Sequence, residues 1–190
     1  MALNIVSTNA DFTPWVKYNA KAGRWYVKGE AGDIEVDKPT FVADFENIKT
    51  GWLLFLEGQA PSQVWDADLS TPAAKPGDNH KRGFSLPLFS QKSFGGVVEL
   101  SSSSMHLCNS INELYMQYEA GVAANQNKLP VVEFTGSVPM KDKMGTNYKP
   151  EFKIVKWVDR PVELSGEAAV KATVAPQAAP VKPAASVSEF

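Results

Sequence analysis

The sequence has few of the residue types that build disulfide frameworks and metal sites. Its 190 residues include one cysteine, Cys108, and two histidines, His80 and His106. One thiol cannot form an internal disulfide, and two histidines with a single cysteine cannot assemble a Cys/His zinc site. We therefore expect no metal site and no cofactor, and a reducing compartment such as the cytoplasm fits this cysteine content.

Long apolar runs and an excess of positive charge are also missing. No stretch reaches the roughly 20 apolar residues that span a bilayer, so we expect no membrane partner. Lys and Arg total 19 against 21 Asp and Glu, for a net charge of -2, which excludes a domain held to polyanions by bulk positive charge. Contacts to nucleic acid must use local patches, and residues 75–164, with 11 basic and 9 acidic side chains, are the more cationic part.

Composition divides the chain into three parts. Residues 165–190 consist mostly of Ala, Val, Pro, Ser and Lys, which predicts a flexible Ala/Pro-rich C-terminal tail. Residues 23–164 contain almost all of the large apolar side chains and predict one folded domain. The order of the N-terminal segment, residues 1–22, stays open at this point.

The apolar pattern of the middle part is typical of short strands. Strands are predicted at residues 23–29, 32–37, 40–45, 52–56, 82–90, 97–100, 129–135 and 151–158. Pro87 favours an edge strand or a bulge for its segment. Polar residues, Pro and Gly predict long loops at 61–79 and 139–150.

One segment has helical periodicity. Its apolar residues recur every three or four positions after the serines at 101–104, which predicts an amphipathic helix that ends near Gly121 or within residues 123–127. This order of elements predicts a mainly β protein, a five-stranded OB-fold barrel with one helix between strands 3 and 4, plus an N-terminal hairpin extension.

The densest apolar run, residues 51–56, predicts a strand buried on both faces, so we assign Trp52 and Phe55 to the core. The other core aromatic and aliphatic candidates are Phe41, Phe45, Phe134, Phe152 and Ile154. Trp65, in the predicted loop 61–79, either closes over a bound strand or pins the loop to the barrel.

Three stretches carry a family resemblance: residues 80–84 (HKRGF), residues 97–101 with the following NELY at 112–115, and residues 146–161, which end in WVDRP. Together they resemble phage and prophage single-stranded DNA-binding proteins of the OB-fold type. The resemblance implies a replication or recombination protein that coats exposed strands without reading their sequence. It also implies a C-terminal tail that docks partner enzymes, here ending in Glu189 and Phe190, although this tail is less acidic than is usual in such proteins.

Binding without sequence preference needs cations that follow the phosphates and flat rings on which bases stack. Basic and aromatic residues occur together in three clusters. The first comprises Lys81, Arg82, Phe84, Lys92 and Phe94; the second comprises Lys141, Lys143, Tyr148, Lys149, Lys156 and Trp157; the third comprises Arg24, Trp25, Tyr26 and Lys28. Neighbouring strand residues face opposite ways, so at most one ring of Trp25 and Tyr26 is inward. For Trp157, packing and stacking both remain open.

An enzyme is not expected, because the sequence has no phosphate-binding Gly-rich loop, no nucleophile elbow and no histidine with a partner at metal-ligand spacing, and Cys108 fits a small core residue of the predicted helix. The predicted function is sequence-independent binding and protection of single-stranded DNA during phage DNA replication or recombination. The alternative is a protein-interaction or virion-assembly β-barrel that does not bind nucleic acid. The oligomeric state does not follow from the sequence.

Overall fold

The computed structural model describes residues 13–29, 31–143 and 145–165. They form a mainly β protein built on one large, curled sheet. The strands are β1 (Trp15–Asn19), β2 (Arg24–Gly29), β3 (Gly32–Val36), β4 (Thr40–Ala43), β5 (Lys49–Leu54), β6 (Ser62–Trp65), β7 (Lys81–Ser90), β8 (Gly96–Ser102), β9 (Lys128–Asp142) and β10 (Gly145–Asp159). The helices are α1 (Gln91–Phe94) and α2 (Met105–Val122), and 3₁₀ turns span Phe45–Asn47 and Val162–Ser165.

The strand order is β10-β9-β4-β7-β8-β1-β2-β3, and β5 and β6 attach beside the first half of β7. Most neighbours are antiparallel, but β1 runs parallel to β8. The sheet curls enough for the β1–β2 turn to meet β10, where the Tyr148 amide donates to the Ala20 carbonyl at 2.7 Å. The predicted five-stranded barrel is wrong in its strand count, since the described residues contribute ten strands.

The main helix lies where its periodicity predicts, directly after the serines at 101–104. Its place in the strand order differs from the prediction, because eight strands precede α2 and two follow it. The helix packs its apolar face onto the sheet, and it also contacts β10 along its length. The buried helix side chains are Leu107, Ser110, Ile111, Leu114 and Tyr118.

We call the side of the sheet that packs against α2 the helix face. Its residues include Trp25, Leu86 and Leu100, each of which is completely buried. The same core holds the predicted aromatic residues Phe41, Phe45 and Phe134, with Phe152 and Ile154 half-buried at its border. The core assignments of these five residues are confirmed.

β7 is a central strand despite Pro87. Its first half pairs with β5 and its last residues pair with β4, while β8 covers its other side. The Pro87 carbonyl accepts from the Asp44 amide, just beyond the end of β4, so the missing N–H faces the gap between β4 and β5. The prediction of an edge or bulge was wrong because one strand is flanked here by two short partners in succession.

Buried charge connects the end of β10 to the turn after β4. Both guanidinium nitrogens of Arg160 donate to the buried Asp44 carboxylate, at 2.7 and 2.8 Å, and one of them also reaches Glu46 at 2.6 Å. These carboxylates, Asp44 foremost, raise the pKa of Arg160. The ion pairs hold the C-terminal end of the hairpin formed by β9 and β10 against the body of the sheet.

Two predicted segments differ in extent from the structure. Residues 139–142 and 145–150 are not a loop but the outer half of the β9–β10 hairpin, and residues 62–65 within the predicted loop 61–79 form β6. The N-terminal segment contributes β1, which the sequence left open. Residues 1–12 and the predicted tail at 166–190, including Glu189 and Phe190, lie outside the described residues. No helix in the described part is long and apolar enough to cross a membrane.

Candidate nucleic-acid interface

The residues of the first predicted cluster lie at opposite ends of β7. Lys81 begins this ten-residue strand and Lys92 follows its far end, so the two lysines lie about 30 Å apart. Phe84 is buried, and the ring of Phe94 stacks on Phe41 with centroids 5.8 Å apart. Neither ring is available to a base, and the cluster does not form one surface.

Arg82 is engaged in an ion pair at the end of the helix face. Its guanidinium donates to both oxygens of Asp66, at 2.8 and 2.5 Å, and the hydroxyl of Thr50 donates to the same carboxylate at 2.6 Å. Arg82, the largest influence, together with Thr50 and the Ala73 amide, holds the pKa of Asp66 far below its usual range. This carboxylate is almost fully enclosed and fastens residues 66–73 to the sheet.

Trp52 and Phe55 are not core residues. The Trp52 ring is half-buried, with the Arg82 guanidinium 5.3 Å and the Lys75 ammonium 5.7 Å from its centroid, and its indole N–H donates to the Ala73 carbonyl. Phe55 is 48% exposed. The apolar run at 51–56 belongs to a strand near the border of the sheet, so only Leu53 among its large side chains is fully buried. Trp65 lies opposite Gly51 on β6 and packs across that glycine, which pins β6 to the sheet.

The second cluster is spread along the β9–β10 hairpin. Lys141, Lys143 and Lys156 are exposed, whereas Lys149 pairs with Glu113 of α2 at 2.6 Å. Tyr148 is half-buried beside the β1–β2 turn, and its carbonyl accepts from the Tyr18 hydroxyl. Trp157 is half-buried and stacks on Tyr118, with centroids 5.7 Å apart, so its ring packs on the helix.

The third cluster is divided between the two sides of β2. Trp25 is completely buried on the helix face, where it packs against several aromatic rings, and it cannot serve as a stacking platform. Tyr26 and Lys28 point to the opposite side, which we call the open face. Arg24 is on the open face too and pairs with Glu35. Trp25 and Tyr26 thus face opposite sides of β2, as the alternation of strand residues predicted.

Two further residues from β1 complete this part of the open face. The Lys17 ammonium lies 5.4 Å from the centroid of the Trp15 ring and 5.8 Å from that of Tyr26, and the Lys28 ammonium lies 5.8 Å from Trp15. Lys17 also pairs with Asp33 at 2.6 Å. We call Trp15, Lys17, Tyr26 and Lys28 the ring–lysine cluster. Sequence reasoning missed Trp15 and Lys17 because β1 was not recognised as a strand, although apolar and polar residues alternate over residues 16–19.

A groove of about 530 Å³ adjoins the ring–lysine cluster. Trp15 and Lys17 of β1 line one side, and Phe55 and Gln63 of the β5–β6 segment line the other. The strand order places β7 and β8 between these sides, and Glu99 and Ser101 of β8 form the floor. The serines at 102–104, which lead into α2, line it as well. The groove thus has an aromatic ring on each side.

The floor of the groove carries one carboxylate. Glu99 of β8 lies beside Trp15 in the parallel pairing of β1 with β8. Ser85 and Ser101 each donate their hydroxyl to Glu99 Oε1, at 2.7 and 2.9 Å. Ser85 is buried, so this network is part of the sheet surface rather than of a mobile loop.

The described residues contain no group of three or more His, Cys, Asp or Glu side chains that could hold a metal ion. Burial raises the pKa of the Cys108 thiol to about 11, so this cysteine is a thiol at neutral pH. His80 accepts or donates a single hydrogen bond with Ser62.

Comparison with known proteins supplies no assignment: no family model, no curated protein and no solved structure matches the chain. Only the geometry of the candidate interface therefore supports it, and the resemblance to phage DNA-binding proteins stays a prediction.

Proposed function

We propose that the protein binds single-stranded DNA along the groove of the open face, without reading a defined sequence. The observation that supports this most is the ring–lysine cluster beside a groove with a second aromatic side. Rings provide stacking surfaces for bases, and the lysines provide charge for phosphates. The proposal keeps the principle of the OB-fold prediction, in which a strand face and its loops hold the nucleic acid, without requiring a closed five-stranded barrel.

The number of unpaired positive charges on this surface limits the expected affinity for single-stranded DNA. Lys17 is paired with Asp33 and Arg24 with Glu35, whereas Lys28 forms no ion pair with the described residues. With so few unpaired cations, stacking has to contribute a large share of the affinity, and binding is expected to be moderate and sensitive to salt. A role in phage DNA replication or recombination is part of this proposal.

The test is fluorescence anisotropy with a labelled 20-nucleotide single strand at two salt concentrations. We expect binding at low salt that weakens as salt rises, and weaker binding of a matched duplex, whose bases are not free to stack on protein rings. Lys28→Glu should lower the affinity and reduce the slope of log K against log salt by about 0.7 for the phosphate it releases.

Lys92→Glu is the matched control, since Lys92 is an exposed lysine that the structure places away from the groove. We expect it to change the salt slope much less than Lys28→Glu does. Absence of binding even at low salt would refute the proposed function. Equal effects of the two reversals would refute the placement of the site.

The alternative, a protein-interaction or virion-assembly barrel, has one supporting feature. Val138 and Met140 on β9 are each 39% exposed, and β10 is an end strand of the sheet. An end strand offers backbone groups for pairing with another chain. If DNA binding is absent, Met140→Lys should disrupt any self-association measured by light scattering.

A further inference from the structure

The Glu99 carboxylate does not suit a groove that contacts only the phosphates of a DNA strand. A carboxylate on the floor repels the DNA backbone, yet this one is built into the sheet by two serine hydroxyls. A groove that held nothing but backbone would be better served by a neutral residue at this position. The carboxylate therefore calls for a ligand group that it attracts.

The hydrogen bonds leave one oxygen of Glu99 for that group. Both serine hydroxyls donate to Oε1, and within the described part of the chain no hydrogen bond is formed to Oε2. Because Ser85 is buried and Ser101 is two residues away on the same strand, the carboxylate is held in one orientation. An ionised carboxylate only accepts, so a ligand bound at Oε2 has to donate.

Among the parts of a DNA strand, the bases supply such donors. Phosphate oxygens are acceptors, and the deoxyribose within a strand has no free hydroxyl. Cytosine, adenine and guanine carry an exocyclic amino group, and carboxylates accept from the cytosine N4 amino group in protein–DNA complexes. Thymine instead has a carbonyl at the position corresponding to cytosine N4. Its one donor, N3–H, lies between two carbonyl oxygens, which repel an approaching carboxylate.

The position of Trp15 brings a base to this carboxylate. Trp15 and Glu99 are partners in the parallel β1–β8 pairing, and neighbouring strands lie about 4.8 Å apart. A base stacked on the Trp15 ring has an edge within reach of Glu99. Stacking and hydrogen bonding are thus available to the same base.

We infer that Glu99 is a base-selecting residue that favours bases with an exocyclic amino group over thymine. This inference rests on the proposed function and adds a preference for base type, not for an ordered sequence. One hydrogen bond to a charged acceptor corresponds to a preference of roughly 10- to 150-fold for oligo(dC) over oligo(dT).

The experiment compares 20-nucleotide oligo(dC) and oligo(dT) at pH 8, by anisotropy and by mutual competition, with the full chain. Glu99→Gln is the informative variant. Its amide oxygen can still accept from Ser85 and Ser101, while its NH₂ group takes the place of Oε2 and turns an acceptor into a donor. We expect the preference for oligo(dC) in the wild type to disappear or to reverse toward oligo(dT), whose carbonyls accept.

Glu133→Gln is the matched control, because Glu133 is an exposed glutamate on β9 whose replacement removes the same charge. It should leave the ratio of the two affinities unchanged, whereas a general charge effect would raise both equally. A thermal unfolding curve verifies that each variant is folded. The ratio of the two affinities in the wild-type protein tests the inference independently of any variant.

The outcomes separate the two proposals. Binding of both oligonucleotides with equal affinity would overturn the role of Glu99 and leave the proposed function intact. Retention of the oligo(dC) preference in Glu99→Gln would overturn it as well. No binding of either oligonucleotide would refute the proposed function itself.

Discussion

The helix face and the open face of this sheet are made by the same strands, yet their aromatic residues have different roles. On the helix face, Trp25 and Phe41 are buried in a cluster of rings beneath α2. On the open face, Trp15 and Tyr26 remain half-exposed, with lysines as their neighbours. A ring contributes to stability on one side and is available to a ligand on the other.

The difference shows that an aromatic residue beside a basic one in the sequence is not evidence of a binding surface. Trp25 lies between Arg24 and Tyr26 and is buried, because alternate strand residues face opposite sides. A ring on the side that α2 covers is part of the core, and a ring on the other side is accessible. The following predictions test this division, beginning with the largest expected effect.

Trp25→Ala should cause the greatest loss of stability. Removing a fully buried ring leaves a cavity, and such changes lower the free energy of unfolding by about 3–5 kcal/mol. Urea denaturation followed by circular dichroism measures it, with Trp15→Ala as the matched change on the open face. We expect Trp15→Ala to cost less than about 1 kcal/mol, and similar losses in the two variants would contradict the division of the faces.

Trp15→Ala should instead reduce DNA affinity. The loss of one stacking ring costs about 1–3 kcal/mol of binding, or roughly 5- to 150-fold in the dissociation constant. Trp15→Phe, which retains a ring, should preserve most of the affinity in the same anisotropy assay. Unchanged binding by a folded Trp15→Ala protein would exclude this ring as a base platform.

Trp52→Ala tests the end of the helix face that is not fully covered. Its ring is only half-buried, and its contacts are two cations and one hydrogen bond, so we expect a loss of about 1–2 kcal/mol in unfolding free energy. This is less than for Trp25→Ala in the same denaturation series. A loss as large as that of Trp25→Ala would show that Trp52 is a core residue after all.

The stabilising contribution of the Asp66 carboxylate should depend on pH. Its pKa is lowered in the folded protein, so its stabilising contribution is complete above the unfolded value of about 3.9 and is lost as pH falls from there toward the folded pKa. Asp66→Asn should therefore be less stable than the wild type at pH 7, and the gap should narrow below pH 4. Asp159→Asn, at an exposed carboxylate, serves as the control for the loss of one negative charge.

Local patterns in the sequence predicted most of the elements. The β2–β3 hairpin, the helix that follows the serines at 101–104 and the core positions Phe41, Phe45 and Phe134 are confirmed. Each depends on the spacing of residues within one segment. The mainly β class follows from the same patterns.

What depends on long-range pairing was not predictable in the same way. Nothing near Pro87 indicates that β4 and β5 share one side of β7, and nothing near Trp15 indicates a parallel partner in β8. The burial of Phe55 was overestimated because hydrophobicity does not show how close a strand lies to the sheet border. The candidate site shares this limit, since Tyr26 and Lys28 were found by composition, whereas Trp15, Lys17 and Glu99 required the strand order.

The parallel pairing of β1 with β8 has a consequence for the order of events during synthesis. One wall of the groove comes from residues 15–17 and its floor from residues 99–101, so about 80 intervening residues must be made before the two can meet. Contacts between such distant segments form late, because closing a long loop costs entropy before the pairing repays it. A nascent chain that has emerged only as far as β7 therefore has Trp15 but no groove, and the proposed DNA site can form only after β8 has joined the sheet.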